Sequence, residues 1–314
     1  MQKSFENGMR DGVLIVDKPA GMSSAQVVGK IKRCLRVQKV GHAGTLDPFA
    51  TGVLVCLINR ATRLAQFLLA GKKEYHAILH LGVDTDTQDV TGQVVDRQPV
   101  PEVDEALLQK VFSEFIGTIE QKPPVYSALK HKGVALYKLA RRGCPVQKPA
   151  RKIHIEQLAI SSIDMPEVSF SITCSAGTYI RTLCADIGQR LGCGGYLRAL
   201  RRTKSSGFGL DEAIRLEMLN AYAADAQLPL PLIPPGDALR GMPTLRADRI
   251  TAEKIKCGGT IDLMDFTDLP IDATVMTNGE QGTFCKVFDS NKNLIAIVSV
   301  DMRNATIAYS KVFA

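Results

Sequence analysis

The chain has 314 residues, of which 45% are hydrophobic and 23% charged, and its formal net charge is +7. That balance fits an ordinary globular protein of about two domains, long enough to bury a core without staples. It excludes a helical membrane anchor, since no run reaches the roughly 20 apolar residues a span needs.

The residues 12–17 (GVLIVD) read as a short buried strand ended by Lys18-Pro19. Ser23 or Ser24 then caps a helix to about Leu35, with Val27, Val28, Ile31 and Leu35 at helical spacing and a basic remainder. The segment 41–52 (GHAGTLDPFATG) is turn-rich, because its glycines and Asp47-Pro48 oppose regular structure. A strand at 52–58, a helix at about 61–70 and a strand at 74–81 follow, the last with Tyr75, Ala77, Leu79 and Leu81 on one face. A loop at 82–92 and a helix at about 103–116 lead into a polar, basic stretch at 122–152. Strands at about 153–162 and 167–175 precede a helix at 178–191 that Gly192 ends. From Gln227 to Pro243 five prolines mark a domain boundary, and strand-like runs at 284–288, 294–300 and 306–312 predict a small β-rich domain.

Residues 243–314 hold 8 Lys+Arg against 9 Asp+Glu, so the positive excess lies in the first 242 residues. A polyanion partner is the natural inference. The N-terminus is polar and without an apolar targeting segment, so the expected location is cytoplasmic. None of the eight cysteines forms a C-x-x-C pair, and several sit in apolar runs, which reads as buried reduced thiols.

The segment around Asp47 carries the most chemistry. An aspartate held between glycine-permitted turns and a following strand is placed to face a cleft, where a ligand can approach closely. Spacing alone equally fits an Asx turn. Tyr75 reads as a core tyrosine on the face of Ala77, Leu79 and Leu81, and Arg181 as a surface arginine. His42 has no Cys, His or Glu partner at metal-ligand spacing. The run 84–89 (DTDTQD) fails the EF-hand template, with Asp89 where Gly is required.

GHAGTLDPFATGVL resembles the catalytic motif G-H-x-G-x-L-D-P-x-A-x-G-x-L of the TruB family of pseudouridine synthases. LIVDKPAGMSS, KEYHAILHLGVDTDTQDVTG, PPVYSALKHKGVALYKLARRG and SAGTYIRTLCADIGQRLGCGGYLRALRRT resemble its further elements, in the family's order, over roughly residues 12–210. The resemblance implies a pseudouridine synthase fold: α+β, a curved, mainly antiparallel mixed sheet over 10–238, and a small β-barrel-like, PUA-type domain at 243–314. It implies that Asp47 is the catalytic carboxylate, that Arg181 pairs with it, and that Tyr75 stacks on the base. His42 would fill the RNA loop vacated by the flipped base, Lys18 would lie at the site floor, and Leu200 would line the pocket. The Asp89 loop and the 123–150 insert with Lys130 would grip RNA, and Tyr179 joins the substrate-binding set.

The implied reaction converts uridine 55 in the TΨC loop of tRNA to pseudouridine. No net redox change or hydrolysis occurs, so neither cofactor nor metal is expected, and the expected enzyme is a monomer with tRNA as its partner. A carboxylate is needed, and an arginine fork beside it holds it better than a lysine would. The basic groups Lys130–Lys152 and Arg198–Lys204 offer phosphate contacts. The rival readings are a non-catalytic tRNA-binding chaperone on the same fold, a metal-dependent hydrolase using Asp84, Asp86 and Asp89, and a related synthase acting on another RNA.

Overall fold

The structure, a computed structural model, describes residues 11–225, 228–266 and 283–313. The expected domain start at residue 10, Gln227 at the head of the proline stretch, and the last residue lie outside them. The first half runs β1 (Gly12–Lys18), α1 (Ser24–Leu35), β2 (Val40–His42), β3 (Thr51–Ile58), α2 (Ala65–Leu69), β4 (Lys73–Leu81), β5 (Val83–Thr85), β6 (Val94–Arg97), α3 (Glu105–Ser113) and β7 (Gly117–Gln121). Then come β8 (Lys130–His131), β9 (Val134–Ala135), α4 (Leu136–Ala140), β10 (Arg151–Asp164), β11 (Glu167–Cys174), α5 (Ile180–Leu191), β12 (Gly195–Ser205), β13 (Phe208–Gly209), β14 (Ile214–Arg215) and α6 (Leu219–Ala224). The last part holds β15 (Thr244–Arg246), α7 (Arg249–Lys256), β16 (Thr283–Phe288), β17 (Leu294–Asp301) and β18 (Thr306–Val312).

One mixed sheet of ten strands, in the order β14-β1-β3-β12-β4-β11-β10-β7 with β2 and β13 at its margins, organises everything up to residue 215. Its centre is set by alternation. In β4, Tyr75, Ala77, Leu79 and Leu81 all face one core, which α3 and α5 cover with Leu108, Phe112, Leu183 and Ile187. Helix α1 begins at a capping box in which Ser23 and Gln26 satisfy each other's backbone N–H groups. Helix α5 has no side-chain cap of its own at Tyr179. Instead Gln121 of β7 accepts from Tyr179 N at 2.8 Å and donates to Tyr179 O at 3.0 Å, which fixes where the helix starts.

Several expected loops are ordered. Residues 83–97 form a hairpin, closed where the Asp86 carboxylate accepts from Gln93 N; β6 is exposed throughout, so no hydrophobic alternation announced it. Val40–His42 pairs with β3, an edge strand too short to show a pattern. At the C-terminal end the β-rich expectation gains α7, capped by Asp248, whose eight residues bury too few apolar positions to display a period. The expected barrel-like closure is, among the described residues, an open four-stranded sheet in the order β15-β16-β17-β18.

The two sheets share a core. Val53, Val55 and Leu57 of β3, with Leu64 and Leu68, pack against Leu239, against Ile297 of the C-terminal sheet and against Phe313 just beyond its last strand. Arg63 donates to Val312 O at 2.7 Å, and the Phe67 and Phe284 rings meet edge to face at 5.2 Å.

Candidate active site

The turn between β2 and β3 is held from every side. Leu46 and Ala50 sink into the core beside Tyr75 and Leu200. Ser24 Oγ both accepts from Leu46 N at 2.9 Å and donates to Leu46 O at 3.1 Å. Pro48 O accepts from Gly21 N at 2.8 Å and from Lys18 Nζ at 3.2 Å. Where the turn enters β3, Gly52 has φ +104° and a Cβ there would stand 2.1 Å from the Arg202 carbonyl oxygen, so only glycine fits. Between these anchors Asp47 keeps 35% of its side chain open, a carboxylate presented at the mouth of a fixed loop.

Arg181, in the first turn of α5, closes the constellation. Its Nε lies 3.0 Å from Asp47 Oδ2 and its Nη1 3.3 Å from Asp89 Oδ2. Nη1 also donates to Thr87 O and Nη2 to Tyr126 O, each at 2.9 Å. The guanidinium is thus oriented by two loops far apart in sequence, which leaves it little rotamer freedom. Asp89 is 3% exposed, and its Oδ1 accepts from Thr87 Oγ1 and from the N and Oγ1 of Thr91.

Burial by the cleft walls raises the Asp47 pKa above the usual carboxylate value. Arg181 and Lys18 oppose this, and the Asp89 charge adds to it. Lys18 is fully buried, donates to the carbonyls of Pro19, Met22 and Pro48, and has its pKa lowered to about 8 by that burial. Tyr75 is 9% exposed, and burial pushes its phenol pKa up while the Arg202 guanidinium opposes the rise. His42 has its pKa lowered, first by burial and then by Arg202, and its Nδ1 has no partner. Tyr179 is half-buried under the Arg151 guanidinium, 5.0 Å from its ring, and Lys130 is exposed on β8.

The structure therefore brings Asp47, Arg181, Tyr75, Lys18, His42, Leu200 and Asp89 into one region. Lys18 lies at the floor of this region, and both it and Asp89 are buried with their polar atoms engaged inside the protein. The second basic group divides between surface ion pairs and the interior. Arg198 pairs with Glu167, Arg201 with Asp17 at 2.8 Å and Lys204 with Glu74 at 3.2 Å, while Arg202 is 1% exposed. Sequence reasoning missed Arg202 and Gln121 as site builders; only the pairing of β12 with β4 and β3 reveals the first.

The acidic run near 84–89 divides its labour. Asp84 accepts from Gln189 Nε2 and Gly195 N, Asp86 from Gln93 N, and Asp89 serves Arg181. Among the described residues no group of three or more His, Cys, Asp or Glu side chains is placed to hold a metal.

The arrangement leaves one carboxylate, gripped by a buried arginine beside a tyrosine and a leucine, about a third open to solvent. Comparison with known proteins specifies the family. The model of the TruB family pseudouridylate synthase N-terminal domain matches residues 32–180, and that of the tRNA pseudouridylate synthase B C-terminal domain matches 181–239. A protein of Syntrophotalea carbinolica named tRNA pseudouridine synthase B is 48% identical over 235 residues, covering 75% of this chain and 76% of the relative. One of the same name from Syntrophus aciditrophicus is 41% identical over 287 residues, covering 91% and 90%. Among solved structures, a chain of a Cbf5-Nop10-Gar1 complex has a TM-score of 0.75 at 27% identity, covering 96% of this chain and 85% of that one. A chain of an archaeal box H/ACA sRNP Nop10-Cbf5 complex has 0.74 at 26%, covering 100% and 89%. The chain belongs to the TruB family of pseudouridylate synthases and has the pseudouridine synthase fold; it is an isomerase. The C-terminal sheet lies beyond both family models yet is spanned by the structural matches.

Proposed function

We propose that the chain isomerises uridine 55 in the TΨC loop of tRNA, with Asp47 as the catalytic carboxylate. The observation that carries this is the 3.0 Å contact of Arg181 Nε with Asp47, which leaves the carboxylate oriented and open. The curated relatives are named tRNA pseudouridine synthase B, which supports tRNA as the substrate. The target base leaves its stack, and stacking on the Tyr75 ring, worth roughly 1–3 kcal/mol, helps offset the cost of flipping. Asp47 acts on the sugar or the ring. The N1–C1′ bond breaks, the uracil turns, C5 bonds to C1′, and the C5 proton leaves while N1 gains one. His42 occupies the gap left in the RNA loop. Leu200 shapes the pocket wall, Tyr179 lies alongside, and Lys130 with the other insert cations contacts phosphates. The enzyme works as a cytoplasmic monomer without metal, its catalytic domain ending near residue 238.

Tritium release from tRNA transcripts labelled at uridine C5 tests the reading. Wild type releases label from transcripts with uridine 55 and not from those with cytidine there. Asp47→Asn lowers the rate by at least about 10³-fold while tRNA affinity stays within a few-fold, since it removes the reacting group and leaves the binding surface. A fully active Asp47→Asn protein would overturn the role given to Asp47, and a wild-type chain that binds tRNA without releasing label would return it to the non-catalytic binder reading.

A further inference from the structure

Arg202 is the largest fully buried side chain of the described residues, and no described carboxylate pairs with it. Keeping a cation in the interior without a counter-ion is costly, so a buried arginine of this kind marks a site where its charge and donors are used. Its donors go to the active-site loop and the strand behind it: Nε to Val53 O at 2.7 Å and Nη2 to Gly44 O at 3.1 Å. In register, Arg202 stands directly opposite Tyr75 on β4 and opposite Gly52 on β3. Its side chain therefore shares a face with the Tyr75 phenol and touches the turn that carries His42 and Asp47. The Gly44 backbone comes close: a Cβ at that residue, where φ is +110°, would lie 3.5 Å from Nη1.

We propose that Arg202 is a positioning residue of the reaction, a fork that ties the 42–47 turn to β3 and sets the Tyr75 phenol against the base. Lysine cannot replace it, because one ammonium lacks the fixed spread of donors that spans the carbonyls of Val53 and Gly44 on the face it shares with Tyr75. The groups acting on the Tyr75 phenol are Arg202, Cys174 and Asp47, and Arg202 alone of them favours the phenolate. It also helps to lower the pKa values of Lys18, Lys73 and His42. One cation thus biases several side chains of the cleft together.

The proposal rests on the reading of Asp47 and Tyr75 above. Its test is a double-mutant cycle of Arg202→Lys and Tyr75→Phe in single-turnover assays, with tRNA affinity measured alongside. Each single change is expected to slow the step by at least about tenfold at affinities within about threefold, and the pair to lose at least about fivefold less than the product of the two. In Arg202→Gln the phenol titration, seen as the ultraviolet difference from the same protein carrying Tyr75→Phe, moves to higher pH. Multiplicative effects, an unslowed Arg202→Lys enzyme or an unmoved titration would overturn the proposal. If neither Arg202 variant folds, Tyr75→Phe alone decides: an unchanged rate overturns it and a slowed rate at full affinity supports it. Asp47→Asn in the same assay separates the failures, since its activity bears on the function and not on the coupling of Arg202 with Tyr75.

Discussion

The floor of the cleft and the 123–150 insert are both rich in charge, and they use it in opposite ways. On the floor, Arg181 serves two carboxylates and two carbonyls, Lys18 three carbonyls and Arg202 two. In the insert, Lys130, Lys132, Lys138, Arg141 and Arg142 are exposed, and none pairs with a carboxylate of the described residues. Cations already engaged hold geometry; cations left free are available to phosphate. Total charge therefore says little about either task, and partnership says more.

The largest way to break this contrast is at Arg181. Arg181→Lys keeps the charge but loses the fork, and is expected to cut kcat by about 10²-fold with tRNA affinity nearly unchanged. Equal losses in rate and affinity would make the floor a binding surface after all. Replacing Lys138, Arg141 and Arg142 together by alanine gives the reverse: KM rises about tenfold, kcat holds, and the salt dependence of binding weakens by about one unit of slope for each phosphate no longer neutralised. A fall in kcat at constant KM would erase the distinction. The smallest effect is expected from Asp89→Asn. The Asp89 charge helps to raise the Asp47 pKa. Under the proposed role of Asp47 activity requires the ionised carboxylate, so removing that charge moves the acid limb of the pH–rate profile to lower pH. A limb that stays put or moves up would show that Asp89 acts through Arg181 alone.

Much of this was legible in the sequence where the signal is local. A serine at 23 or 24 announced the helix cap, the alternation of 75–81 announced the buried face of β4, and the glycines of 41–52 announced the turn that carries Asp47. What escaped depends on partners distant in the chain. Arg202 lies among basic residues and looks like one of them, and its burial follows only from β12 pairing with β4 and β3. Gln121 sits at the end of an exposed-patterned strand, and its role as the cap of α5 needs the two elements side by side. The motif alone does not tell whether the Asp89 carboxylate meets RNA or an inner arginine; packing decides, and it sets that carboxylate 3.3 Å from Arg181.

The core shared by the two sheets reaches further than holding the lobes together. Strand β3 leaves the Asp47 turn and lays Val53, Val55 and Leu57 against the cluster that Ile297 and Phe313 complete. Phe313 is thereby a wedge driven behind the strand that follows the Asp47 turn, and the C-terminal lobe is a buttress for that turn, whatever it touches on its outer side.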